Sequence, residues 1–328
     1  MAGAAIALAA ALVAGCTGPG SVPSASPNTG AGIVAQVATF QLVAGRPGRL
    51  LVALLGDDNR WLSFGSVQIA FQYIGPQSSP GSAEMSAAPS TGAASLPPAM
   101  AAFLPIPGSP QRGGPKPTLT APADGHGLYV VEPITFPAAG YWRLVASGTE
   151  TGGTAFRADA AFEVLATPVV IDVGQRALRT SNPVIGTPGV PKPAIDSRAV
   201  LDGTIPDPAL HHVTIADAIA AHHPALVVFS TPVYCVSQFC GPVTDMVAEL
   251  AKAYADRADF IHVEIYRDFN ANQLNQAAID WLRTPSGDLR EPWTFLIGAD
   301  GRIAASWDTV VTRDEIEPLL RALPALKR

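Results

Sequence analysis

At 328 residues the chain has room for two domains of ordinary size, and with 48% hydrophobic against 15% charged residues it can bury a substantial core. A formal net charge of -6, with no run of Lys or Arg, argues against nucleic acid as a partner. The 30 glycines and 31 prolines concentrate in a few stretches, which reads as linkers rather than general disorder.

The chain opens on an apolar run over residues 4–14, the length of a signal-peptide core and too short to span a membrane as a mature helix. It ends in Leu12-Val13-Ala14-Gly15-Cys16, which resembles the lipobox of bacterial lipoproteins. That resemblance implies a signal peptide over 1–16, cleavage before Cys16, and a lipid on Cys16 that anchors the protein to the outer face of a bacterial membrane. No Lys or Arg precedes the run, unlike the family pattern. An ordinary cleaved signal with an incidental cysteine is the alternative, and both imply export to the cell envelope. Residues 17–32, rich in Gly, Ser, Pro and Thr, read as a flexible tether.

From residue 33 to 166 the pattern is β. Apolar runs at 33–43 and 49–55 flank the turn signal Gly45-Arg46-Pro47-Gly48, and Val67-Gln68-Ile69-Ala70-Phe71 alternates as a half-buried strand should. Further strands are expected at 128–131, 141–146 and 160–165, with a long Pro/Ser/Gly-rich loop at about 75–118. This set suggests an all-β sandwich. Gly140-Tyr141-Trp142-Arg143-Leu144 is similar to the late strand of Ig-like exported modules, which implies an Ig-like sandwich. Tyr141 and Trp142 could line a ligand face, against the plainer reading of one core and one exposed aromatic. Residues 167–195 carry repeated Pro and Gly and read as a linker.

Beyond 196, Thr214 offers an N-cap for a short helix, followed by an apolar strand at 225–231. Cys235 and Cys240 then sit in a loop. Val243, Met246, Val247, Leu250 and Tyr254 mark one face of a helix running to about 256. A strand at 260–266, a helix at 272–282, a hairpin of 293–297 with 303–307 turned by Asp300-Gly301, and a Thr312-capped helix at 313–322 complete the order. This half resembles a thioredoxin-like fold of the exported thiol-disulfide oxidoreductase kind. The residues carrying the resemblance are the cysteine-bearing loop between strand and long helix, Pro292-Trp293-Thr294-Phe295-Leu296-Ile297, and Asp300-Gly301. It implies two domains, an Ig-like sandwich and an α/β thioredoxin-like fold at 196–328, with Pro292 as a cis proline facing the cysteines.

The departure from that family is the spacing Cys-x-x-x-x-Cys in place of Cys-x-x-Cys. In one regular helix, residues five apart have Cα atoms about 8–9 Å apart, whereas a disulfide needs at most about 6.8 Å. An exported chain with one local pair is expected to hold it as a disulfide, so the loop 236–239 must be non-helical. Pro242 suits the first helical position, which would set Cys240 at the positive helix end that favours a thiolate. Counted from the strand instead, Cys235 takes the nucleophile's place, with Tyr234 where the family often has Trp. The two alignments stay open.

The expected chemistry is thiol-disulfide exchange with a protein thiol or disulfide partner through Cys235, Cys240 and Pro292, with Glu264 or Glu291 as candidate proton acceptors. The alternative is a non-catalytic thioredoxin-fold scaffold lipoprotein whose disulfide only staples the loop. Copper handling is the minor alternative. Sco-type copper chaperones pair two cysteines with a much later histidine, and here the last histidine is His262. No cofactor or metal cluster is legible: His211-His212 and His222-His223 flank a short helix and read as solvated surface or caps.

Overall fold

The computed structural model describes residues 32–56, 58, 60–76, 95–110 and 113–326. The signal segment, Cys16, nearly all of the tether and most of the first half of the 75–118 stretch lie outside the described residues. Among the described residues, no helix is long and apolar enough to cross a membrane.

Among the described residues, nine strands occupy the first half: β1 (Ile33–Val37), β2 (Pro47–Gly56), β3 (Trp61–Ser63), β4 (Ser66–Gly75), β5 (Ser95–Pro105), β6 (Thr118–Thr120), β7 (Gly127–Thr135), β8 (Gly140–Thr149) and β9 (Ala155–Val164). They form one antiparallel sheet in the order β6-β3-β2-β7-β5-β4-β8-β9, with β1 on β2. Its distant edges approach each other: β1 lies against β9, and Val43 bridges Leu165. The sheet thereby curls around its own core, where Leu50, Leu54, Ile69, Phe136, Trp142 and Leu144 are fully enclosed.

Two expectations change here. The large sheet is continuous rather than an Ig-like pair of stacked sheets. The presumed loop at 75–118 also contributes β5, whose Pro97-Pro98 falls where the β4–β5 register shifts between Ile69 and Phe71. A proline there forfeits little, because a bulge has already interrupted the ladder.

In the second half, β10 (Ala225–Ser230) runs parallel to β11 (Asp259–Glu264) and antiparallel to β14 (Trp293–Ile297), which pairs with β15 (Ile303–Asp308). A separate ribbon joins β12 (Tyr266–Asp268) to β13 (Gln273–Leu274). The α-helices are α1 (Ala199–Asp202), α2 (Ile215–Ala220), α3 (Cys240–Tyr254), α4 (Gln276–Leu282) and α5 (Arg313–Ala322). The helical pattern read from sequence is met on α3: Val243, Met246, Val247 and Leu250 all face the core. Thr214 caps α2 by accepting from the Asp217 backbone at 3.0 Å.

The expected fold class is nevertheless corrected. The described residues are mostly β, 38% strand against 18% helix. Among the described residues only α3 and α5 are helices longer than seven residues, and two of the three strand pairs in the smaller sheet are antiparallel. A C-terminal α/β thioredoxin-like fold is not evident in that composition. Nor do the halves keep separate cores. Leu51, Ala53, Ile106 and Leu128 of the large sheet's side pack in one cluster with Leu226, Val228, Val247 and Leu320. Sequence patterns fix single elements, whereas the side-by-side order of strands depends on residues up to 88 positions apart, as in Pro47 opposite Thr135.

Candidate functional site

Strand β10 is buried along its whole length, so the chain can leave it only at the sheet end, after Ser230. There the Cys235 N–H donates to the Thr231 carbonyl at 3.1 Å, and the Val233 N–H donates to Ser197 Oγ at 3.2 Å. Gln238 adopts the left-handed conformation (φ 63°), which bends the loop back toward α3. Cys235 and Cys240 are bonded through their sulfurs with Cα atoms 6.0 Å apart, and the intervening loop is non-helical as the spacing required.

The two cysteines have unlike surroundings. Cys240 is fully buried as the first residue of α3, whereas Cys235 is half-buried. Val236, 96% exposed, with exposed Ser237 and Gln238, forms the tip between them. The helix thus starts two residues before Pro242, and Cys240 itself occupies the positive end of a 15-residue helix. Buried Phe239 precedes it, its ring 6.1 Å from His126 of the large-sheet half. Tyr234 stacks on Phe269 at 3.8 Å with the rings nearly parallel, and Tyr266 meets both edge-on.

Pro292 follows a cis peptide bond after Glu291, as the resemblance implied. Glu264 is buried, and its carboxylate accepts from the backbone N–H groups of Ser197, Ile265 and Tyr266 at 2.8, 3.0 and 3.2 Å. Burial pushes its pKa up, against the pull of His262. Glu291 is pushed up to about 7 by burial and then by the charge of Glu264. Glu264 therefore serves the framework, while Glu291 is the carboxyl that changes charge near neutral pH. Trp142 takes the plainer of its two readings: it is fully buried and donates from Nε1 to Ala138 O at 3.0 Å, with Tyr141 beside it half-buried.

Beneath the cysteine loop lies a group the sequence did not suggest. Asp196, His211 and His262 are all buried. Asp196 Oδ2 lies 3.3 Å from His211 Nε2 and 3.6 Å from His262 Nδ1, and Arg198 grips the same carboxylate through Nε at 3.0 Å and Nη2 at 2.7 Å. Burial alone would raise the Asp196 carboxyl, but these partners hold it well below the usual carboxylate range. Burial pushes His211 down. His211 is thus not the surface residue expected, whereas His212 and His222 are exposed. His262 Nε2 donates to the Ser230 carbonyl at 3.1 Å, Ser230 Oγ bonds Thr244 Oγ1 at 2.6 Å, and Thr244 Oγ1 donates to the Cys240 carbonyl at 2.7 Å. Ser230 and Thr244 thus stand between the cluster and the backbone of the buried cysteine. The one available signal was His262 itself, a polar residue at an interior position of an otherwise apolar strand.

No known protein family matches this chain, and no characterised protein matches it.

Proposed function

We propose that the protein exchanges thiols for disulfides with a protein partner through Cys235 and Cys240, as an exported chain tethered to a bacterial membrane by a lipid on Cys16. The observation that carries this reading is the asymmetry of the pair: a half-buried cysteine beside an exposed tip, bonded to a fully buried one at a helix N-terminus. A partner thiolate attacks Cys235 Sγ, the bond to Cys240 breaks, and the electron pair leaves on Cys240, where the unpaired N–H groups of α3 favour its negative charge. The partner's second thiol, once deprotonated, attacks the partner sulfur of the mixed disulfide and releases Cys235 as thiolate. The partner ends oxidised by two electrons and this chain ends reduced. The reverse sequence reduces a partner disulfide, with Cys235 attacking and Cys240 resolving. Glu291, poised near 7, is suited to exchange a proton in this region.

A second reading has its own support in the full burial of Cys240: a non-catalytic scaffold whose disulfide closes the loop. The reduction potential separates the two. A potential above about -300 mV together with turnover of insulin disulfides supports exchange. A pair that resists reduction below that value, whose double replacement Cys235→Ser/Cys240→Ser unfolds the protein without a redox defect, would leave the staple. Copper handling has less support, because the free nitrogen of His262, Nδ1, faces the Asp196 carboxylate, an oxygen donor that Cu(I) does not favour.

A further inference from the structure

We propose that Asp196, His211 and His262 bind a divalent metal ion of the zinc class, separate from the cysteine pair and braced against the floor of its loop. The three residues come from distant places. Asp196 precedes α1, His211 follows the turn Pro208–Leu210, and His262 is central in β11. Their candidate ligand atoms all lie within 4.8 Å of one another. Two ligands held at zinc distances around a tetrahedral ion are about 3.4 Å apart, close to the observed 3.3 and 3.6 Å.

The placement of the two His262 nitrogens is the decisive detail. Its Nε2 faces a backbone carbonyl, which can only accept, so Nε2 donates there and Nδ1 is the nitrogen turned toward Asp196. That Nδ1 is buried without a hydrogen-bond partner, 3.6 Å from a carboxylate oxygen. A buried nitrogen without a hydrogen-bond partner is costly, and a cation placed between it and the carboxylate would satisfy both. A charged N–H···O⁻ bond would close to about 2.7–2.9 Å. Metal-binding histidines commonly donate their other nitrogen to a carbonyl in this manner. His211 also carries an unpartnered buried Nδ1, and on binding through Nε2 it would hold its proton there.

The charges fit as well. Arg198 shares the Asp196 carboxylate, but its guanidinium is also held by Asp207 at 2.9 Å and Asp245 at 2.7 Å. Three carboxylates around one guanidinium leave two negative charges, which a divalent ion offsets. Two imidazoles and a carboxylate suit zinc and disfavour Cu(I), which prefers sulfur.

The test titrates the full chain, metal-free and with its disulfide intact, with Co²⁺ and then Zn²⁺. The expected result is one equivalent of Co²⁺ giving visible d–d absorption without a sulfur-to-cobalt charge-transfer band, displaced by Zn²⁺, with Zn²⁺ raising Tm. Asp196→Asn and His262→Gln should each weaken binding more than about tenfold, and the exposed-site replacement His222→Gln should not. Binding should persist in Cys235→Ser/Cys240→Ser. If a ligand variant fails to fold, the wild type still decides: Co²⁺ should broaden the imidazole resonances of His211 and His262 before those of other histidines. Absence of uptake by the wild type, a charge-transfer band, unchanged binding in folded His262→Gln, or an imidazolium signal from His262 that Zn²⁺ leaves in place would each overturn the proposal.

Discussion

Reduction of the Cys235–Cys240 bond would free two thiols in opposed circumstances. Cys240 has the helix N-terminus, which raises its thiolate fraction, but it is fully buried. Cys235 has Ser237 Oγ beside it, 3.1 Å from its sulfur, and it lies next to the exposed tip. For a bulky electrophile, access outweighs ionisation, because a thiolate that cannot be approached does not react. Iodoacetamide should therefore label Cys235 at least about tenfold faster than Cys240 in the folded, freshly reduced protein, as peptide mass spectrometry over time would show. Equal rates would remove the asymmetry on which the exchange reading depends. The aromatic stack of Tyr234 and Phe269 next to this loop was not legible in the sequence, since the partners lie 35 positions apart.

Helix α5 shows how an element can serve two structures at once. Thr312 N–H donates to Glu315 Oε2 at 2.7 Å, closing a capping box at the helix start, while Glu315 Oε1 pairs with Arg49 Nη2 of β2 at 2.7 Å. Arg49 is buried and also donates from Nη1 to the Val310 carbonyl at 2.6 Å. Thr312→Ala should cost about 1 kcal/mol, the ordinary value of a lost cap. Glu315→Ala removes the cap's partner and also strips a buried guanidinium of its closest carboxylate, so it should cost about 3 kcal/mol. Urea unfolding of the two variants measures the difference. Identical midpoints would mean that the ion pair between α5 and the large sheet contributes nothing. The cap was readable from Thr312 and Glu315 alone, but its second duty was not.

At the scale of the whole molecule, Asp308 ties the two halves together. It is buried at the end of β15, accepts from the backbone N–H groups of Phe40 and Gln41, and neighbours Thr309, whose Oγ1 donates to Ala38 O at 2.6 Å. Burial pushes Asp308 up to about 6, against the two N–H groups and Arg49, which favour its charge. A carboxyl whose folded pKa lies above its unfolded value holds more protons in the native state. Its contribution to stability is complete below about pH 4 and is lost as pH rises through 6. Asp308→Asn should flatten the stability profile across that window, by about 3 kcal/mol at most. Denaturant midpoints at intervals from pH 4 to 7 would reveal this. Glu291 supplies a similar component extending to about 7, so a residual slope above pH 6 is expected, whereas an unchanged slope between 4 and 6 would show that Asp308 is not the group responsible.

The amino-acid order alone determined what is local. Alternation marked β4. Threonines before apolar runs marked the starts of α2 and α5, Asp300-Gly301 marked a hairpin, and a five-residue separation of sulfurs demanded a non-helical loop. These signals act over a few residues, within which backbone preference and side-chain period are the whole cause. Tertiary structure decided the rest. It made β5 a strand across two prolines because β4 and β7 flank it, curled one sheet where two were expected, and merged the halves into a shared core. It also gathered Asp196, His211 and His262 beneath the cysteine loop. Each of those outcomes depends on which distant surfaces exclude water together, a quantity that no single window of sequence contains.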